Sequence, residues 1–177
     1  AVNDVSFTYN GFDDLRTRTK GETSTHYFYN YAIANDPMVA KQNQQTGMFE
    51  QYFVYTPNGQ LLYMIDAADG NKLYFYHFDH QGSTLALTDT NGNVTDAYCY
   101  TPFGMLLAHT GSVEQPFTFV GKFGIRQEGT SGTLYQMRAR YYSTRHGRFL
   151  SKDPNWPLLT SFDEINPYQY ARNNPLQ

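Results

Sequence analysis

Four groups of residues in this chain have types and spacings that could do chemistry. His77, Asp79 and His80 offer two imidazoles and a carboxylate within four positions. On a strand, however, His77 and Asp79 share a face while His80 points away or enters a turn. That gives at most two convergent ligands, short of a structural zinc site, so no metal is expected and Asp79 is read as a turn residue. Cys99 and His109 could be nucleophile and base. Their spacing does not support this, and no Gly-rich oxyanion element follows Cys99, so a small buried side chain is the better reading. Arg138, Arg140, Arg145 and Arg148 could bind an anion, but they fit a polar face paired with Asp and Glu. The clusters Tyr27–Tyr31 and Tyr74–Phe78 could stack on sugars or peptides, but packing between hairpins explains them better.

The elements that must carry these residues recur. Tyr9-Asn10-Gly11-Phe12 leads to Leu15, and Tyr55-Thr56-Pro57-Asn58-Gly59 leads to Leu61 and Leu62. Phe78-Asp79-His80-Gln81-Gly82 leads to Leu85 and Leu87, and Tyr100-Thr101-Pro102-Phe103-Gly104 leads to Leu106 and Leu107. Each unit ends an aromatic strand, turns through Asn, Asp, Pro or Gly, and enters a second apolar strand. This is the pattern of a hairpin array. Asn91-Gly92 predicts a two-residue type I′ turn, because both residues tolerate positive φ. Leu134–Tyr142 alternates as one strand, with Tyr135, Met137, Ala139 and Tyr141 opposed to Leu134, Gln136, Arg138 and Arg140.

Composition agrees. The 177 residues include 16 Tyr and 13 Phe, so that 17% are aromatic and only 16% are charged. Aromatic residues suit a half-buried pleated surface. Helical periodicity is nowhere sustained; a short helix fits only residues 158–164. The fold class predicted is all-β: antiparallel hairpin repeats in a curved, shell-like sheet, followed by an irregular Pro-rich plug with Trp156, Phe162 and Tyr168 as anchors. The net charge of −3 gives no reason to expect nucleic acid. No apolar run approaches the ~20 residues that span a bilayer. One cysteine permits no internal disulfide. The chain opens on Ala1 and stops at Gln177 in an Asn-Pro-rich stretch, which reads as a fragment of a longer polypeptide. A fragment of a repeat array exposes strand edges and an apolar face, so it is expected to self-associate.

The second half carries a more specific signal. Tyr76-His77-Phe78-Asp79-His80-Gln81-Gly82-Ser83 resembles the tyrosine-aspartate repeat of Rhs and YD-repeat proteins. Tyr98–Gly104, Phe119–Lys122, Leu134–Tyr142 and Gly147–Pro154 follow in the order of the Rhs-associated core domain, and Asn166–Pro175 resembles its closing segment. The resemblance covers roughly residues 73–177. It divides the chain into YD-type hairpins (1–72), core repeats (73–154) and a closing segment (155–177).

The resemblance implies a hairpin ribbon wound into a shell around a C-terminal toxin or effector, in a parent protein that is secreted or at the cell surface. The partners implied are the rest of that shell and its cargo, with no cofactor. It also implies an aspartyl-type self-cleavage site, in which two Asp-Pro-x-Gly elements each give a carboxylate. Asp153-Pro154 begins the first of these, but Asn155-Trp156 departs from its continuation. Arg148 would hold a carboxylate ionised or bind the oxyanion. The second element is not in this sequence, so Asp153 and Arg148 are expected to be a half-site at most, joined as a salt bridge. Two rival readings follow: an incomplete aspartyl protease module, or an adhesion or carbohydrate-binding repeat.

Overall fold

Alternating side chains and short turns with no helical period leave one simple solution, in which each strand pairs with its predecessor. The computed structural model of the chain describes residues 5–12, 14–128, 131–154 and 166–176. The strands are β1 (Val5–Tyr9), β2 (Leu15–Lys20), β3 (Thr23–Tyr29), β4 (Met38–Asn43), β5 (Phe49–Tyr55), β6 (Leu61–Asp66), β7 (Lys72–Phe78), β8 (Thr84–Thr88), β9 (Val94–Tyr100) and β10 (Leu106–Thr110). They lie in one sheet in chain order, without a crossover. A second sheet holds β11 (Arg126–Gln127), β12 (Leu134–Met137), β13 (Arg140–Ser143) and β14 (Arg148–Phe149), also in chain order. The helix expected over residues 158–164, and the anchors Trp156 and Phe162, lie outside the described residues.

Five of the turns share one device. In four of them a side chain accepts the backbone N–H four residues on. Thr56 Oγ1 accepts from Gln60 at 3.1 Å, Asp79 Oδ1 from Ser83 at 2.8 Å, Asp89 Oδ1 from Asn93 at 2.9 Å and Thr101 Oγ1 from Met105 at 3.0 Å. In each, the first residue's N–H donates to the fifth residue's carbonyl. The fourth residue, always glycine, donates back to the first carbonyl. Asn10 makes the same side-chain bond to Asp14 N at 3.0 Å. The Asn91-Gly92 turn is therefore not the two-residue type I′ turn expected. Asp89 and Asn93 close it, and Gly92 (φ 81°) takes the positive φ without Asn91. The Asp89 carboxylate decides this, since accepting from both Asn91 and Asn93 fixes the wider loop.

The chain divides into two compact units. One comprises residues 1–77, 87–94 and 122–124. Its buried face carries Phe53, Met64 and Tyr74, which are register partners across β5, β6 and β7. Leu15, Met38, Tyr55, Leu61 and Tyr76 extend it. Two of the buried tyrosines place their hydroxyls on acceptors: Tyr55 Oη donates to Met38 O at 3.0 Å, and Tyr76 Oη meets Met64 Sδ at 3.4 Å. The opposite face carries Tyr63 against Phe75, ring centroids 5.6 Å apart.

The other unit comprises residues 78–86, 95–121 and 125–177. Its core is Phe119, Tyr135, Tyr142 and Phe149, flanked by Tyr100, Ile125, Met137 and Tyr170. Leu134–Tyr142 is a tight hairpin rather than one strand. Arg138 adopts φ 55°, and Tyr135 returns to face Tyr142. The gain is a buried Tyr–Tyr cross-strand pair, which a single alternating strand would have left unpartnered.

Phe117, Phe119 and Val120 lie outside the strands. The chain turns at Val120 (φ 54°), whose N–H donates to Ser83 Oγ at 3.2 Å, and a single 3₁₀ turn over Gly121–Phe123 follows.

Two turn glycines separate conformation from space. A Cβ at Gly92 would meet nothing within 4 Å, whereas one at Gly104 would lie 2.4 Å from the Phe119 ring. Both glycines have positive φ. Gly92→Ala is expected to cost about 1–2 kcal/mol for the left-handed backbone alone. Gly104→Ala is expected to cost about 1–3 kcal/mol more for overpacking against Phe119. Denaturant melts of the two variants check this ordering.

Candidate functional site

The hairpin β13–β14 builds the site. Its turn, Thr144–Gly147, is held by His146 N–H donating to Ser143 O at 3.3 Å and by Ser143 Oγ beside His146 Nδ1 at 2.9 Å. Gly147 supplies the positive φ, 63°. Tyr142 then pairs with Phe149, and Leu150 N–H donates to Tyr141 O at 2.8 Å. The closing segment docks on the far side of β14. Phe149 N–H donates to Tyr168 O at 2.9 Å, and a bridge joins Arg148 to Gln169. Tyr170 sets its ring against Tyr142 (4.4 Å), Phe149 (6.0 Å) and Phe119 (6.2 Å).

This arrangement brings a different arginine to Asp153 from the one expected. Arg140 Nη2 lies 2.9 Å from Asp153 Oδ2. The same guanidinium sits over the Phe149 ring, its Cζ 3.6 Å from the centroid, and Nη1 donates to Pro167 O at 3.4 Å. Asp153 N–H also donates to Pro167 O, at 3.0 Å. The Arg148 side chain is exposed, and its role in the fold is carried by its backbone. The expected Arg148–Asp153 salt bridge is thus replaced by Arg140–Asp153. Strand pairing is the reason: continuing the Tyr142–Phe149 register puts Arg140 level with Ser151, two residues short of Asp153. A planar guanidinium stacked on an aromatic ring is well suited to orient a carboxylate. A carboxylate so held can orient or move a proton, but amide hydrolysis by an aspartyl route needs a second carboxyl group as well. Asp163 and Glu164, the nearest candidates in sequence, lie outside the described residues.

The other chemically capable residues serve the fold. Asp79 closes its turn, and His77 Nε2 meets Thr88 Oγ1 at 2.9 Å. Among the described residues no three His, Cys, Asp or Glu side chains converge as a metal site. Cys99 is exposed rather than buried, because β9 turns Asp96 and Tyr98 inward and Cys99 outward. His109 stacks on Tyr98, centroids 4.3 Å apart, with Nε2 3.2 Å from Asp96 Oδ1. Sequence reasoning missed the buried pair Arg126–Glu128 at 2.8 Å, which also engages Gln136. Its signal was two opposite charges with i, i+2 spacing, which share a face of β11 and its continuation.

Burial also sets the electrostatics. Desolvation pushes Tyr98 and Tyr135 up to about 12 and raises Tyr100, Tyr142 and Tyr170.

Together the sequential hairpin sheet and the docked closing segment define a β-hairpin repeat protein. The model of the teneurin YD-shell family matches residues 1–176, and the chain belongs to that family. The tRNA(Glu)-specific nuclease WapA of Bacillus subtilis subsp. natto is 30% identical over 97% of this chain. Toxin protein Tse5 of Pseudomonas aeruginosa is 32% identical over 59% of it. The chain spans 8% and 7% of those relatives, respectively. The crystal structure of TcdB2-TccC3-Cdc42 shares the fold, with a TM-score of 0.66 and 20% identity. The match covers 97% of this chain and 8% of that one.

Two outcomes are expected. Arg140→Ala should loosen the closing segment, speeding hydrogen exchange at the Phe149 and Asp153 amides roughly fivefold or more, as loss of about 1 kcal/mol of ion-pair and ring contact implies. Leaving both amides equally protected would contradict the docking described. Second, the raised tyrosines keep their protons when the unfolded chain loses them near pH 10. Their stabilisation is therefore full below pH 10 and lost as pH rises toward about 12. Absorbance titration of tyrosinate should resolve a late class of tyrosines, with stability falling across that window.

Proposed function

We propose that this chain is the shell-closing part of a YD-repeat protein, where it helps to enclose and deliver a C-terminal toxin or effector and has no independent catalysis. The observation that carries this reading is the family match across residues 1–176. The docking of Tyr168 and Tyr170 against β14 and the aromatic core supports it, because it makes the closing segment an integral part of the second unit. The nuclease named for WapA and the toxin named for Tse5 belong to those whole proteins, and we assign neither activity to this stretch. The parent is read as secreted or at the cell surface, with the remainder of its own shell as the first partner of these strands.

Within that reading, Asp153 is one half of a self-cleavage site, Arg140 orients it, and following sequence supplies the second carboxylate. Arg148 serves this site only through the β14 backbone. The 177-residue chain should keep its intact mass over days, whereas a parent polypeptide carrying a downstream Asp-Pro-x-Gly element should process itself. Asp153→Asn should abolish that processing. Arg140→Ala should slow it at least about tenfold, as loss of roughly 1.4 kcal/mol of carboxylate positioning implies, and Arg148→Ala should leave it nearly unchanged. Processing of the short chain, or unchanged processing in the Asp153→Asn parent, would remove the half-site. To test enclosure itself, protease is added to the folded parent: the downstream segment should survive until the shell is unfolded. Digestion at the rate of the free segment would refute the shell role.

A further inference from the structure

The closing segment is held in an unfavourable backbone conformation. Ala171, Arg172 and Asn173 have φ of 46°, 51° and 60°, the longest run of positive φ among the described residues. Asn173 N–H donates to Tyr170 O at 2.9 Å, and Asn174 N–H donates to Ala171 O at 2.8 Å. These bonds close two overlapping turns of the left-handed sense. Gly, Asn and Asp normally fill the central positions of such turns. Asn173 suits its place, but Ala171 and Arg172 bear the crowding of Cβ against the backbone that disfavours this hand. Elsewhere the chain uses glycine for the same purpose, as at Gly59, Gly82, Gly92 and Gly104.

A left-handed run without glycine persists only where its surroundings over-determine it. Here it is held on both sides. Before the turn, the Tyr170 ring lies against Tyr142, Phe149 and Phe119. After it, Pro175 O accepts from Gln81 Nε2, which belongs to the turn that Asp79 closes. The same segment fastens Asp153. Pro167 O accepts from Asp153 N–H and from Arg140 Nη1, and Tyr168 O accepts from Phe149 N–H. Freeing Tyr170 or Pro175 lets the turn relax to the ordinary hand. That relaxation carries the segment off β14 and withdraws these acceptors.

We propose that residues 166–175 are a sprung latch over Asp153: the left-handed turn favours opening, and Tyr170 and Gln81 hold it shut. Closed, the latch orders the Asp153 carboxylate against Arg140. Open, it releases both. The inference uses the backbone and its contacts alone, and it stands whether or not Asp153 takes part in cleavage.

The test is hydrogen exchange of the 177-residue chain at the Phe149, Asp153 and Asn173 amides, with two substitutions at the exposed Ala171. Glycine adopts positive φ freely, and that relief outweighs its extra chain entropy. Ala171→Gly should therefore slow exchange at all three amides about threefold. Ala171→Val, β-branched and worse at positive φ, should speed it at least about threefold. Gln81→Ala, distant in sequence, should speed it about fivefold, as loss of one hydrogen bond implies. In a turn under no strain glycine would be the looser residue, and Ala171→Gly would speed exchange. A slowing cannot come from a damaged fold, so the glycine variant decides even where valine disturbs the segment. Faster or unchanged exchange in Ala171→Gly, a response confined to Asn173, or unchanged exchange in Gln81→Ala would overturn the latch.

Discussion

The fold depends on one local interaction, a side-chain oxygen accepting the backbone N–H four residues ahead. Asn10, Thr56, Asp79, Asp89 and Thr101 all make it. The bond fixes loop length, and loop length fixes which residue of the outgoing strand faces which residue of the incoming one. At the Thr56 turn, a slip of one residue would break the pairing of Phe53 with Met64 and turn one of the two away from the buried face. Glycine in the fourth position completes the device where the backbone must turn left-handed. At Gly59 and Gly104 it also makes room, for Ala34 O and the Phe119 ring, respectively. The tyrosine-aspartate signature is thus a short-range register lock, repeated along the sheet, and threonine can substitute for aspartate because only one acceptor oxygen is used.

Much of this was legible because it is local. The aromatic-turn-aliphatic units located the turns β1–β2, β5–β6, β7–β8 and β9–β10. What was not legible depended on competition or on distant pairing. The Asn91-Gly92 dipeptide favours a two-residue turn by its own propensities, but the Asp89 carboxylate captured two amides and widened the loop. Leu134–Tyr142 alternates well enough for one strand. The pairing of Tyr135 with Tyr142 folded it at Arg138, at the cost of a positive φ. Cys99 was read as buried on residue type alone, whereas the pleat of β9 decided its exposure.

Arg140 shows the same limit at the candidate site. Arg148 is closer to Asp153 in sequence, and from residue order alone it was the natural partner. Once β13 and β14 pair, their register carries Arg140 toward the carboxylate, and Phe149 provides the flat surface that holds the guanidinium. The same β14 backbone receives the closing segment. The carboxylate, its arginine and the chain's closing residues are therefore ordered together, with Tyr170 anchoring them to the aromatic core. A site of this kind is assembled by folding the closing segment, and it has no separate framework of its own.

The central claim is that these strands are a section of a larger hairpin wall and not a free-standing domain on a tether. The most direct test is a cryo-electron microscopy reconstruction of the parent polypeptide. The account predicts that β1 will be hydrogen-bonded along its outer edge to a neighbouring strand of the same polypeptide, with β5–β9 continuous with the wall. A parent in which residues 5–154 form a detached unit, with the β1 edge facing solvent and no wall around a downstream segment, would contradict it.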